Sequence, residues 1–146
     1  MTRVGRVLFG ADDVVAELVK SRLAPWVSFR DYAALGVVLG DTLIGGVVYH
    51  NFMPLPYGSI IEASFAFDDP RWASRTTLRT LFAYPFVQLG CVRMTVIVAK
   101  KNERSRSVVS KLGFKQEGSH PGAFDGRQTA ISYGMAKDAC KWLKGS

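Results

Sequence analysis

The sequence predicts an α/β protein folded as one domain, residues 1–146. Three observations carry that expectation. β-branched apolar runs alternate with helix-spaced stretches along the whole chain. Gly40-Asp41 separates two such runs, and this pair supplies the positive φ that a tight hairpin needs. "NERSRSVVSKLGFKQEG" then gives a short helix a clear start and a clear stop directly after the most apolar run, "CVRMTVIVAK".

"RVLFG" opens as a short strand. In "ADDVVAELVKSRL", Asp12 or Asp13 is placed to cap a helix with a stripe of Val15, Leu18, Val19 and Arg22, and Pro25 ends it. "PWVSFRDYA" reads equally as a second short helix or a loop. "LGVVLGDTLIGGVVYHNF" is the hairpin, followed by a Pro-rich loop. "SIIEASFAF" alternates Ile61, Ala63, Phe65 and Phe67 against Ile60, Glu62, Ser64 and Ala66, and Asp68-Asp69-Pro70 stops it. Over residues 74–89, apolar positions Leu78, Leu81, Phe82, Phe86 and Leu89 follow helix spacing. Pro85 kinks or ends that helix early, because it has no N–H for the carbonyl of Leu81. "CVRMTVIVAK", almost wholly apolar, reads as a central strand. After it, Asn102 caps the helix, Gly113 takes the left-handed C′ conformation and Phe114 packs back on Val109. A helix of about ten residues is not stable alone, so Val108, Val109 and Leu112 must hold it to the sheet.

Composition narrows the function classes. Apolar residues at 48% and charged residues at 21% exclude a disordered chain. Cys91 and Cys140 are too few and too far apart for a disulfide framework, which points to a reducing compartment and a cytoplasmic protein. The N-terminal apolar run is too short for a signal sequence, and no stretch approaches the ~20 apolar residues of a membrane span. No His, Cys, Asp or Glu cluster has ligand spacing, so no metal is expected. The net charge of +7 fits a nucleic-acid binder, a basic surface or a site for a small phosphorylated ligand. Clustering of Arg71, Arg75, Arg79, Lys100, Lys101, Arg104 and Arg106 in two segments favours the last.

"NERSRSVVSKLGFKQEG" resembles the Asn-x-x-Ser … Lys-Leu-Gly-Phe-x-x-Glu-Gly segment of the GNAT N-acetyltransferase superfamily, nearest to its ribosomal-protein N-terminal acetyltransferase branch. The tail "FDGRQTAISYGMAKDACKWL" is similar to that family's closing Asp-Gly hairpin, Tyr-bearing strand and terminal Trp, and the element order matches over nearly the whole chain. The resemblance implies a mixed central sheet of six to seven strands with flanking helices and a splay between "SIIEASFAF" and "RMTVIVAK". It implies acetyl-CoA as cosubstrate, its pantetheine on the backbone of Phe65, Ala66 and Phe67. Its pyrophosphate would lie over the loop and helix start at Arg71, Trp72, Ser74, Arg75 and Thr76, and Asn102, at the second strand's end, and Ser105 would border the coenzyme. Pro70, Trp72 and Ser74 stand where the family's phosphate loop has small residues, so either Trp72 blocks the backbone's approach to phosphate or the loop takes a different path with Arg71 and Arg75 supplying charge.

Acetyl transfer to an amine needs a neutral nucleophile, a polarised carbonyl and a proton for the thiolate. Glu62, an isolated carboxylate in an apolar strand, is the candidate base; a solvent-facing strand position is the equal alternative. Tyr133 and Ser132 stand near the leaving group by resemblance, with core packing the plainer role for Tyr133. His50, at a strand end, has the chemistry of a base but reads first as a structural or surface residue, His120 reads as a turn residue, and Asn102 stabilises its helix with or without a ligand. The expected acceptor is an amine-bearing protein N-terminus, lysine or small molecule. No membrane partner is expected, nucleic acid is the weaker alternative, and a homodimer is allowed. A binding or regulatory module of the same fold is the competing class.

Overall fold

In the computed structural model, which describes residues 5–144 and so leaves the first residues of the basic N-terminal stretch outside, seven strands form one mixed sheet. They are β1 (Arg6–Leu8), β2 (Ala33–Leu39), β3 (Thr42–Met53), β4 (Ser59–Phe67), β5 (Cys91–Ala99), β6 (Lys115–His120) and β7 (Ala130–Ala136), in the order β1-β2-β3-β4-β5-β7-β6. Only β4 and β5 run parallel. Parallel neighbours need a crossover, which α2 (Arg75–Ala83) supplies; α1 (Asp12–Leu23) and α3 (Glu103–Leu112) are the other α-helices among the described residues. Gly40, at φ 63°, turns the β2–β3 hairpin. The stretch left open between helix and loop is a loop, with one turn closed by the Val27 N–H on the Ala24 carbonyl, before β2 begins at Ala33.

The helices divide the sheet into two faces. α1 lies on one, packing Val15, Ala16 and Val19 against Ala34 and Val48; Leu18 is only half-buried. Neither Asp12 nor Asp13 caps it. Ala11 is at the N-cap, and both carboxylates reach sideways in the first turn, Asp12 accepting from the Ala34 N–H at 2.9 Å and Asp13 from the Tyr32 hydroxyl. They still complement the positive helix end while tying it to the start of β2.

On the other face, α2 and α3 cover a core that includes Leu35, Val47, Ile61, Leu81, Phe82, Val109 and Leu112. Pro85 ends α2 as expected, and residues Tyr84–Gln88 continue as a π-helical turn. The Leu81 carbonyl thereby loses its helical donor, and the buried Tyr49 hydroxyl donates to it at 2.6 Å. α3 has both expected ends. The Asn102 side chain accepts from the Ser105 N–H at 3.1 Å, Gly113 sits at φ 110°, and the Phe114 N–H reaches the Val109 carbonyl. Trp142 adds a donor from the C-terminal segment, its Nε1 bonding the Leu112 carbonyl at 2.8 Å. Among the described residues no helix is long and apolar enough to cross a membrane.

α1 can approach the sheet because Gly36 and Gly46 face each other across β2 and β3 beneath Val15. A Cβ on Gly46 would stand 2.3 Å from Val15 Cγ1 and 2.6 Å from the Leu35 carbonyl oxygen. Gly46→Val should therefore destabilise the fold by about 1–3 kcal/mol, the usual cost of overpacking. Urea unfolding checks this, and an unchanged midpoint would contradict the close approach.

Candidate active site

The pairing of β4 with β5 stops at Glu62 opposite Thr95. Beyond that point β4 stays registered with β3 as far as Phe67 opposite Gly45, and β5 stays with β7 as far as Ala99 opposite Ala130. The two central strands are thus splayed. The Asp68 N–H bonds the Ile44 carbonyl across β3, so by strand alternation Ser64 and Ala66 direct their backbone groups to β3, and Phe65 and Phe67 direct theirs into the gap. On the other bank, the Lys100 N–H bonds the Thr129 carbonyl, which leaves Ile97 facing the gap from β5.

A cavity of about 300 Å³ opens on the α1 side of this gap. β3 and β4 place His50, Glu62 and Ser64 on its floor, and Asn102 and Ser105 border it at the start of α3. His50 pairs with Glu62 across the two strands. Its Nε2 lies 2.9 Å from Ser64 Oγ and 3.7 Å from a Glu62 oxygen, and Asn51, a left-handed residue at φ 53°, donates to the other Glu62 oxygen at 3.0 Å. Burial pushes the His50 pKa down and the Glu62 charge offsets this in part, so the imidazole is neutral at pH 7. A smaller apolar cavity of about 30 Å³ lies on the α2 side, and Phe65 and Val96 line both.

The other sequence-derived candidates fall in different places. Tyr133 is buried, accepts from Arg106 Nε at 2.8 Å and lines neither cavity. Arg106 also donates to the Lys100 carbonyl and to Gln116, so it ties the start of α3 to β6 and β7. Ser132 Oγ hydrogen-bonds His120. Trp72 sits in a 3-10 turn, Pro70–Ala73, and its indole stacks flat on Phe67 at 3.9 Å on the interior side of the gap. Arg71 is held by Asp69, which accepts from both its guanidinium and its N–H and is itself lowered to about 2 by them. Ser74 caps α2 by accepting from the Thr77 N–H. Arg75 and Thr76 occupy the first turn of α2, where N–H groups have no intrahelical acceptor. Sequence reasoning treated His50 as structural and passed over Asn51, Trp26, Phe29 and Phe124; setting the hairpin in register with the following strand would have placed His50 beside Glu62.

Because His50 is held below its ordinary 6.5, the unfolded chain takes up that proton first as pH falls. The unfolded state then binds more protons, and stability declines as pH drops below 6.5 towards the lowered folded value. Urea midpoints should fall over that window in the native protein, and His50→Gln should flatten the fall. An equal slope in the variant would contradict the buried neutral imidazole.

No protein-family model matches the sequence, and a search of curated proteins finds no match. Solved structures do resemble it. A ribosomal-protein-S5-alanine acetyltransferase from Vibrio fischeri superposes with a TM-score of 0.72 at 18% identity, covering 97% of each chain. A probable acetyltransferase gives 0.62 at 22% identity over 73% of this chain and 63% of its own. RimJ from Mycobacterium smegmatis, in complex with CoA-disulfide, gives 0.60 at 16% identity over 73% of this chain and 54% of its own. This chain therefore spans less than two thirds of the length of the latter two. The expected α/β arrangement, with its splayed mixed sheet and flanking helices, is the fold of the GNAT acetyltransferases.

Proposed function

We propose that the chain is an N-acetyltransferase that moves the acetyl group of acetyl-CoA to a primary amine by direct attack. The observation that carries this reading is the unzipped length of β4 and β5, with backbone of Phe65, Phe67 and Ile97 turned into it beside a cavity that holds a carboxylate. N–H groups in such a gap suit the pantetheine amides and the carbonyl oxygen that gains charge during attack. The GNAT fold and the CoA-disulfide held by the Mycobacterium smegmatis protein support the choice of cosubstrate.

The residues divide the work as follows. Glu62, with neutral His50 beside it, takes the proton that the ammonium must lose before attack. The amine nitrogen then bonds the thioester carbon, the C–S bond breaks, and the proton that the nitrogen sheds on becoming an amide passes to the thiolate. We assign the relay of that proton to the Ser105 hydroxyl, which takes one proton as it gives one up, rather than to Tyr133 or Ser132, since Ser105 borders the cavity and Tyr133 and Ser132 do not. Ala66 contributes packing against α1, its backbone being turned to β3. Arg75 and the first-turn N–H groups of Arg75 and Thr76 receive the pyrophosphate, because Asp69 already engages Arg71 and Trp72 is packed inside.

That commitment of Arg71 and Trp72 also favours a second reading, a partner-binding module of the same fold that does not take CoA. Calorimetry with acetyl-CoA separates the two. Saturable binding is expected, and Arg75→Ala should weaken it about ten-fold, as loss of a charge-assisted contact does. No heat at high micromolar ligand would select the module. Glu62→Gln should lower kcat about 100-fold or more while leaving the acetyl-CoA Kd unchanged; undiminished turnover would remove Glu62 from the base role.

A further inference from the structure

The cavity is chemically lopsided. Among the described residues, Glu62 is the sole charged side chain lining it and His50 the sole other ionisable one, whereas its outer wall is Leu23, Trp26, Val27, Phe29 and Phe124. Trp26 is 56% exposed, yet its ring meets Phe124 edge to face at 5.5 Å. The loop after α1 and the loop between β6 and β7 thereby join over the cavity through two aromatic rings. Phe29 lies farther in, 5.0 Å from the His50 ring.

Charge counting decides what such a space accepts. A polyamine brings two or more ammonium groups, and every one beyond the first would lie against apolar wall without a carboxylate. The net charge of +7 also disfavours polycations at long range. At about 300 Å³ the cavity is at the lower end of the ligand pockets, roughly 300–1,000 Å³, and it must also admit the thioester. It therefore has room for one side-chain-sized group beside the reacting amine.

We propose, resting on the acetyl-transfer reading, that the acceptor is a primary amine with a single positive charge carried on an aromatic or bulky apolar body, and that Trp26 and Phe124 select it. Glu62 receives the ammonium, and the body lies between the Trp26–Phe124 pair and Phe29. Edge and face contacts with such rings add to simple burial. An arylalkylamine and the N-terminus of a peptide beginning with Phe share this chemistry.

The test compares 2-phenylethylamine, a peptide beginning with Phe, spermidine and an Nα-blocked lysine as acceptors for the full chain with acetyl-CoA, read as thiol release. The expected result is a kcat/KM for 2-phenylethylamine or the Phe peptide at least ten-fold above spermidine and the lysine, and which of the two leads identifies the source. Trp26→Ala, a change at an exposed position, should raise KM for the preferred acceptor about ten-fold with little change in kcat. A preference for spermidine or lysine overturns the inference and leaves acetyl transfer standing. If no amine is acetylated, acetyl transfer falls, and calorimetry with 2-phenylethylamine still decides the cavity's preference: binding weakened by Trp26→Ala upholds it, and no binding overturns it.

Discussion

Everything at the site depends on where β4 and β5 part. Each strand keeps its outer neighbour, β3 for one and β7 for the other, so the sheet stays continuous while its middle opens beyond Glu62 and Thr95. The gap is held from inside by bulk. Trp72 stacks on Phe67, Phe65 tilts against it at 6.4 Å, and Phe82 and Leu78 of α2 close the space behind. Zipping the strands would force Val96 and its neighbours into volume these rings occupy, and interiors packed to crystal density do not yield that volume cheaply. The small apolar cavity left among them is lined by side chains that give water no partners.

The opening separates two environments. On the α2 side the walls are apolar, whereas on the α1 side His50, Glu62 and Ser64 form a polar floor, with Asn51 hydrogen-bonded to Glu62 from outside it. Strand alternation produces this division, since Glu62 and Ser64 point one way and Ala63 and Phe65 the other. Phe65 and Val96 line both cavities, so the gap between them is where the two environments meet. A carboxylate and an apolar cavity thus stand within one strand's width of each other.

Local chemistry was legible in the sequence; long-range choices were not. The ends of α3 were readable because Asn102, Gly113 and Phe114 act within a turn of themselves, and Pro85 ended α2 for a reason internal to the helix. Asp12 and Asp13 have the composition of caps, but Ala34 and Tyr32, brought in by the tertiary fold, took their oxygens. Trp72 reads as a bulky residue of the phosphate loop until the partner that buries it, Phe67, is placed. Tyr133 stands on a strand, β7, as expected, yet it is buried, bonded to Arg106 and absent from both cavities. The splay itself entered through resemblance alone, because no residue in β4 or β5 announces that pairing will stop.

The most direct test is amide hydrogen exchange resolved by residue along β4. With no ligand, the Phe65 and Phe67 amides should exchange much faster than those of Ser64 and Ala66, which are turned to β3, and acetyl-CoA should slow Phe65 and Phe67 selectively. Equal, strong protection of all four amides before any ligand is added would mean that β4 and β5 are closed along their length, and the account would fail.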